Sequence, residues 1–271
     1  MISTIQTSNI NNYKYQVNSK NIVFGHNHST EKNPLSRKQK LAILGSSAAG
    51  MIPVMAFWAK RKGFSLNPAK ILNTPLKDWA IFKYAPKDKS IQFKAPQILS
   101  VATGSVAGGF IGGAIVDDKS NLKAKKREIL SQLLGNVTVP VACVASGAAL
   151  YEKYADKIEG AMPQIKGNSG FIKGFNKFLT KLPNAATTLT LLGIGIYFGN
   201  KVSNLINEKL YHKKVERNIK ASDFAPHVDD LCMATSMMNE GSSFGSKLGR
   251  IIPIALLVPG YQTGIAQSEE R

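Results

Sequence analysis

Five stretches of this 271-residue chain contain no Asp, Glu, Lys or Arg: Leu41–Ala59, Ala95–Val116, Ile129–Tyr151, Leu182–Asn200 and Ile251–Gln267, of 19, 22, 23, 19 and 17 residues. No other feature constrains the fold so tightly. A helix on the surface of a water-soluble core breaks its apolar face with charge every turn or so. A helix that crosses the ~30 Å hydrocarbon core of a bilayer needs about 20 residues without it. The five stretches hold 100 residues, so all 52 charged residues fall in the other 171. That remainder is about 30% charged, above the roughly 25% of an ordinary chain. The whole-chain figure of 44% hydrophobic residues is therefore an average over two unlike parts.

The pattern predicts an all-α, multi-pass membrane helical bundle with four to five embedded segments. The competing reading is a soluble all-α protein with five buried helices, because the stretches are rich in Gly, Ala, Ser and Thr rather than Leu. The second, third and fourth stretches are the best spans. The last is short and carries Pro253, Pro259 and Gln262, so it reads as a broken or re-entrant helix.

Residues 1–40 form a polar, Asn-rich tail with no apolar signal-peptide core, so no cleavable signal is expected. Residues 41–267 form the helical membrane domain, and 268–271 a short C-terminal tail. Leu41–Ala59 suits an uncleaved anchor, with Arg37, Lys38 and Lys40 before it and Lys60, Arg61 and Lys62 after it. Trp58 then falls at headgroup level. Orientation is poorly marked. With all five stretches crossing, Lys and Arg divide 19 to 16 between the two sides; if the first stretch dips and returns, they divide 22 to 13, a clearer positive-inside bias.

Ala95–Val116 is the most glycine-rich stretch. Gly104, Gly108 and Gly112 recur every four residues, and Gly109 and Gly113 repeat the step one residue on. On a helix these positions make a strip without side chains where a second backbone can approach. In water each would cost a helix roughly 0.8–1 kcal/mol relative to Ala, a cost that close packing offsets. Gly195 and Gly199, Gly260 and Gly264, and the run Ala42, Ser46 and Gly50 echo the spacing, as do Gly241, Gly245 and Gly249 ahead of the last stretch. These positions predict glycine-mediated helix packing, either within one chain or between copies in a homo-oligomer.

The basic flanks define the expected partner. Phe171, Phe175 and Phe178 share an apolar face with Ile172, Leu179 and Leu182, while Lys173, Lys177 and Lys181 recur on the opposite side. This amphipathic stretch suits an interfacial helix on an anionic bilayer. The formal charge of +18 could also signal nucleic acid, but 29 of the 35 basic residues are Lys, and no zinc spacing or nucleic-acid motif is present. Lipid headgroups are the better partner. Lys201–Lys220 is expected to continue the fourth helix into water, and Asp117–Glu128 to link 95–151 as a helical hairpin.

Chemistry is sparse. Pro53 and Pro140 interrupt their stretches, and Asn136 places an amide inside the third. Such features occur in transport pathways, but no Asp, Glu, Lys, Arg or His lies inside any stretch. His227, Asp229, Asp230 and Cys232 form the only polar constellation, weak candidates for a metal or an acid–base pair. The simpler reading puts Pro226 in the first turn of a helix, with Asp229 and Asp230 near its N-terminus. Cys143 and Cys232 make neither a zinc pattern nor a disulfide framework. No cofactor motif is present, and 241–248 has the wrong spacing for a phosphate loop. The expectation is a non-enzymatic membrane scaffold or assembly factor. A small transport or pore component ranks second, and a membrane enzyme around His227, Asp229 and Asp230 third.

Overall fold

The first helix, α1 (Arg37–Arg61), begins where the sequence offers a cap: Ser36 Oγ accepts from the Gln39 backbone N–H at 3.3 Å, and the Gln39 side chain accepts from Ser36 N at 2.8 Å. The same Gln39 amide donates across to the carbonyl of Val116. The helix stops at Gly63, whose φ of +78° is the left-handed conformation that glycine supplies, and Phe64 N closes the turn on the Ala59 carbonyl. The computed structural model describes residues 34–75, 94–212, 219–228 and 251–268, and every regular element among them is helical.

After α1 come α2 (Pro68–Asn73), α3 (Ala95–Val116) and a 3₁₀ turn (Lys119–Asn121). A long helix then runs through α4 (Leu122–Leu130), a π-helical stretch (Ser131–Thr138) and α5 (Val139–Gly160). It is followed by α6 (Gly170–Tyr211), a second 3₁₀ helix (Ala221–His227), α7 (Ile252–Ala255) and α8 (Leu257–Ile265).

Helix α3 sits at the centre. Half of its apolar window is buried inside the protein, against 22% for α1. It runs antiparallel to α1, fastened by Gln39 to Val116 at one end and by Trp58 Nε1 to Ser100 Oγ at 2.9 Å at the other. The adjacent face, one residue on, receives α8 in parallel, with Ser105 beside Gly260 and Gly113 beside Gly264. The second pair is α4–α5 against α6, antiparallel from Ser131 and Ser203 to Glu159 and Lys181. Met51, Met55, Ile98, Val101, Ala102, Val137, Ile252 and Leu256 close an apolar core where α1, α3, the π stretch and α7 meet.

Among the described residues, three helices are long and apolar enough to cross a membrane: Arg37–Arg61, Ala95–Val116 and the continuous Lys119–Gly160. The first stretch therefore joins this set and the fourth does not. Leu182–Asn200 lies inside α6, where Asn184, Thr187, Thr188, Thr190 and Asn200 dilute its apolar character. The last stretch forms a shorter apolar helix pair, broken at Leu256.

Four further expectations are revised. Helix α1 continues unbroken through Pro53, whereas a dip and return would need a reversal. The 95–151 segment is not a closed hairpin, because α3 offers its two packing faces to α1 and α8. The amphipathic stretch Phe171–Leu182 is no separate helix; it continues coaxially into the fourth stretch within one 42-residue α6. That helix ends at Tyr211, with His212 left-handed at φ +50°, rather than reaching Lys220.

Candidate functional site

The glycine positions come first. Gly104, Gly108 and Gly112 face α1: a Cβ on Gly108 would fall 3.0 Å from the Cα of Gly50 and onto the Ser46 carbonyl, and one on Gly112 would strike the Ser46 side chain. A Cβ on Gly104 would meet the Gly50 carbonyl at 2.6 Å. Gly109 and Gly113 face α8, where Cβ atoms would collide with the carbonyls of Gly260 and Gly264. In the second pair, Gly199 lies against the backbone of Gly135, and Gly195 against Pro140 and Cys143. Gly45, Gly174 and Gly193 face open space, so glycine content alone does not mark a contact.

Polar side chains gather where the π stretch meets its neighbours. Pro140 has no N–H to give to the carbonyl four residues back, Asn136. That carbonyl pairs instead with His227 Nε2 at 2.7 Å. A carbonyl only accepts, so Nε2 carries the hydrogen. The Asn136 amide nitrogen donates to Asp223 Oδ1 at 2.7 Å and to Gln132 Oε1 at 3.1 Å, and Gln132 donates to Glu128 Oε1 at 2.7 Å. Asp223 Oδ2 accepts from the Lys220 N–H at 2.8 Å, fixing the start of the 3₁₀ helix. Asn136, Asp223 and His227 are fully buried. The third stretch contains no acidic or basic side chain, yet the chain brings a carboxylate and an imidazole to it from 221–227.

The other side of the π stretch faces α6. Ser203 Oγ donates to Ser131 Oγ at 3.0 Å, and Asn207 Nδ2 donates to the same oxygen at 3.3 Å. Asn200 Nδ2 donates to the Ile196 carbonyl of its own helix at 2.9 Å. The amide oxygens of Asn200, Asn204 and Asn207 are all buried without a hydrogen-bond partner. Each such oxygen costs roughly 1–3 kcal/mol if nothing donates to it.

A third constellation ties α8 to the turn after α3. Lys125 is fully buried, and its ammonium donates to Asp117 Oδ2 at 2.7 Å and to the carbonyls of Gly264 and Ala266 at 2.6 and 2.9 Å. It thus caps the last carbonyls of α8. Gln267 donates to Asp117 Oδ1 at 3.2 Å, and Ser268 N to Asn121 Oδ1 at 3.0 Å. Burial pushes the Asp117 carboxyl up, but bonds from Lys125, the Asp118 N–H and Asn121 outweigh it and hold it below the usual range.

The amphipathic residues sit where α5 and α6 project past their charge-free stretches. Phe171, Phe175 and Phe178 form a ring ladder with centroids 6.4 and 6.2 Å apart. Phe171 is 83% exposed. Lys173 and Lys177 are also exposed, while Lys181 pairs with Glu159 at 2.9 Å.

Of the weak metal candidates, His227 is a strut between the 3₁₀ helix and Asn136, and Asp229 and Asp230 lie outside the described residues, as do Cys232, Gly241, Gly245 and Gly249. Pro226 falls inside the 3₁₀ helix rather than in the first turn of an α-helix. No group of three His, Cys, Asp or Glu that could hold a metal occurs among the described residues. Trp58 gives its indole N–H to Ser100 Oγ.

Sequence reading missed Lys125, Asp117, Asp223, Gln132 and Ser131. The α6 row was visible in principle, because Asn200, Ser203, Asn204 and Asn207 share one face at steps of three and four. No protein family, curated protein or solved structure matches the chain.

Proposed function

We propose that this chain is an integral membrane protein, a non-enzymatic scaffold or assembly factor whose four to five embedded segments pack through glycine-rich faces. One observation carries the reading: alongside the apolar core, large apolar side chains face outward and small polar ones lie between the helices. Ile52, Phe57, Ile111, Ile115, Ile194, Tyr197 and Phe198 point outward from their helices, with Ile52, near the middle of α1, 65% exposed. Ser47, Ser105, Ser131, Gln132, Asn136, Asn200 and Thr263 are buried. In water that arrangement exposes apolar surface of the kind that drives aggregation. In lipid the outer face is solvated, and association rests on small residues and interhelical hydrogen bonds. The hydroxyls of Ser47, Thr103 and Thr263 donate to carbonyls of their own helices, a way of satisfying them away from water.

The scaffold reading follows from what the polar groups do. Gln39, Trp58, Lys125, Asn136 and His227 each fasten one element to another. Phe171 and Phe175 with Lys173 and Lys177 suit the headgroup layer of an anionic leaflet, with the end of α6 standing in it. Both glycine faces of α3 are occupied by α1 and α8, so a homo-oligomer would use another surface, such as the outer face of α6. Washing membranes that contain the protein with high salt and alkaline carbonate tests the placement. The protein is expected to stay with the lipid pellet, and its release into the supernatant ends the embedded reading.

A small transport or pore component is the second reading, favoured by the buried amide oxygens between the π stretch and α6. It requires solute or ion flux through vesicles reconstituted with the pure protein, measured against empty vesicles.

A further inference from the structure

We propose that the seam between the π stretch and α6 binds a monovalent alkali cation, sodium or potassium, through the side-chain oxygens of neighbouring members of the row Asn200, Asn204 and Asn207, with Asn204 common to either pair. Asn200 and Asn207 are only 4% and 2% exposed, and all three amide oxygens lack a donor. The amide of Asn200 cannot be turned over to relieve this, because its nitrogen already donates to the Ile196 carbonyl. Asn207 Nδ2 donates to Ser131 Oγ. The steps from 200 to 204 and from 204 to 207 are those of neighbours on one helix face, so adjacent oxygens can share a guest.

The donor set selects the guest. These unpartnered atoms are acceptors, which suits a cation better than a lone water that also needs donors for its own lone pairs. They are neutral oxygens, whereas calcium and magnesium sites draw on carboxylates, and zinc, copper and iron sites on imidazole or thiolate. Asn207 lies a turn before the end of α6 at Tyr211, where the helix dipole favours positive charge. The hydroxyl of Ser203 borders the row; it donates to Ser131 Oγ at 3.0 Å and keeps its own lone pairs for a cation.

The test uses the pure full-length protein and does not depend on whether the bundle serves as a scaffold or a carrier. Radioactive sodium and rubidium, the latter standing for potassium, are measured by scintillation proximity in choline chloride. The expected result is saturable binding of one of the two, displaced by the unlabelled ion. Asn204→Ala, at a half-buried position, should weaken it by about tenfold or more, the scale of losing one contact at a metal site. Gly45→Ala, which faces open space, should leave it unchanged. The thermal midpoint should also rise saturably with the bound ion at constant ionic strength. Absence of saturable binding of either ion by the unaltered protein overturns the proposal, as does binding that survives undiminished in both Asn200→Ala and Asn204→Ala.

Discussion

At the scale of single residues, identical glycines have opposite roles. Gly108→Leu drives a branched side chain into the backbone of Ser46 and Gly50, where nothing can swing aside. Overpacking of this kind costs typically 1–3 kcal/mol, and backbone against backbone should reach about 3 or more. Gly45→Ala meets no atom and removes a helix-weakening glycine, so it should stabilise by up to about 1 kcal/mol. Thermal unfolding in detergent separates the two. Lys125→Met leaves the Asp117 carboxylate and the carbonyls of Gly264 and Ala266 without their cation, and should cost about 3–5 kcal/mol, part of it recovered when Asp117→Leu is added. The same ion pair sets an acid limit. The folded pKa of Asp117 is depressed, so its stabilisation is complete above the unfolded value near 3.9. It is lost as the pH falls through the folded value. Unfolding of the unaltered protein should therefore steepen below about pH 4, while Asp117→Asn flattens that part of the profile. Asn136 was legible in the sequence because an amide stands out in an uncharged stretch. Its partners were not, since Asp223 lies 87 residues away and only folding brings the two together.

Elements were legible where spacing or capping is local. The charge-free stretches, the close approach of Gly108 and Gly109 to their neighbours and the break in 251–267 all follow from residues a few positions apart. Continuity was harder to read. Pro53 and Pro183 each lie within an unbroken helix, because a proline removes one hydrogen bond without forcing a stop when neighbouring helices hold the rest. Pro140, by contrast, coincides with the π stretch and leaves the Asn136 carbonyl to His227. Pro140→Ala returns an N–H to that carbonyl and sets it in competition with the imidazole. With one hydrogen bond worth about 1 kcal/mol, amide exchange across the 3₁₀ helix Ala221–His227 should quicken roughly fivefold. Exchange in α3 should stay as it was. Equal acceleration in both would mean that the imidazole contact does not act locally.

At the scale of the whole molecule, two antiparallel pairs and a returning C-terminal helix meet around α3. Which helix lies against which was not legible, because several stretches carry small residues at four-residue steps and nothing in the spacing says which two will meet. The long pair α4–α5 and α6 also exceeds a bilayer. At 1.5 Å per residue, 42 residues extend about 63 Å, roughly twice the hydrocarbon core. Bilayers rich in anionic lipid should therefore bind the projecting end of α6 more tightly than zwitterionic ones, and Lys173→Glu with Lys177→Glu should abolish the difference in a vesicle flotation assay. One consequence concerns biosynthesis. Ser105 and Leu257, which meet across the α3–α8 contact, are 152 residues apart in the chain. At about 5–20 residues per second, a ribosome needs roughly 8–30 s between them. Throughout that interval the α8 side of α3 stands bare, while the α1 side is already covered. Translation speed thus becomes a determinant of whether α3 waits for its own α8 or takes one from a neighbouring nascent chain.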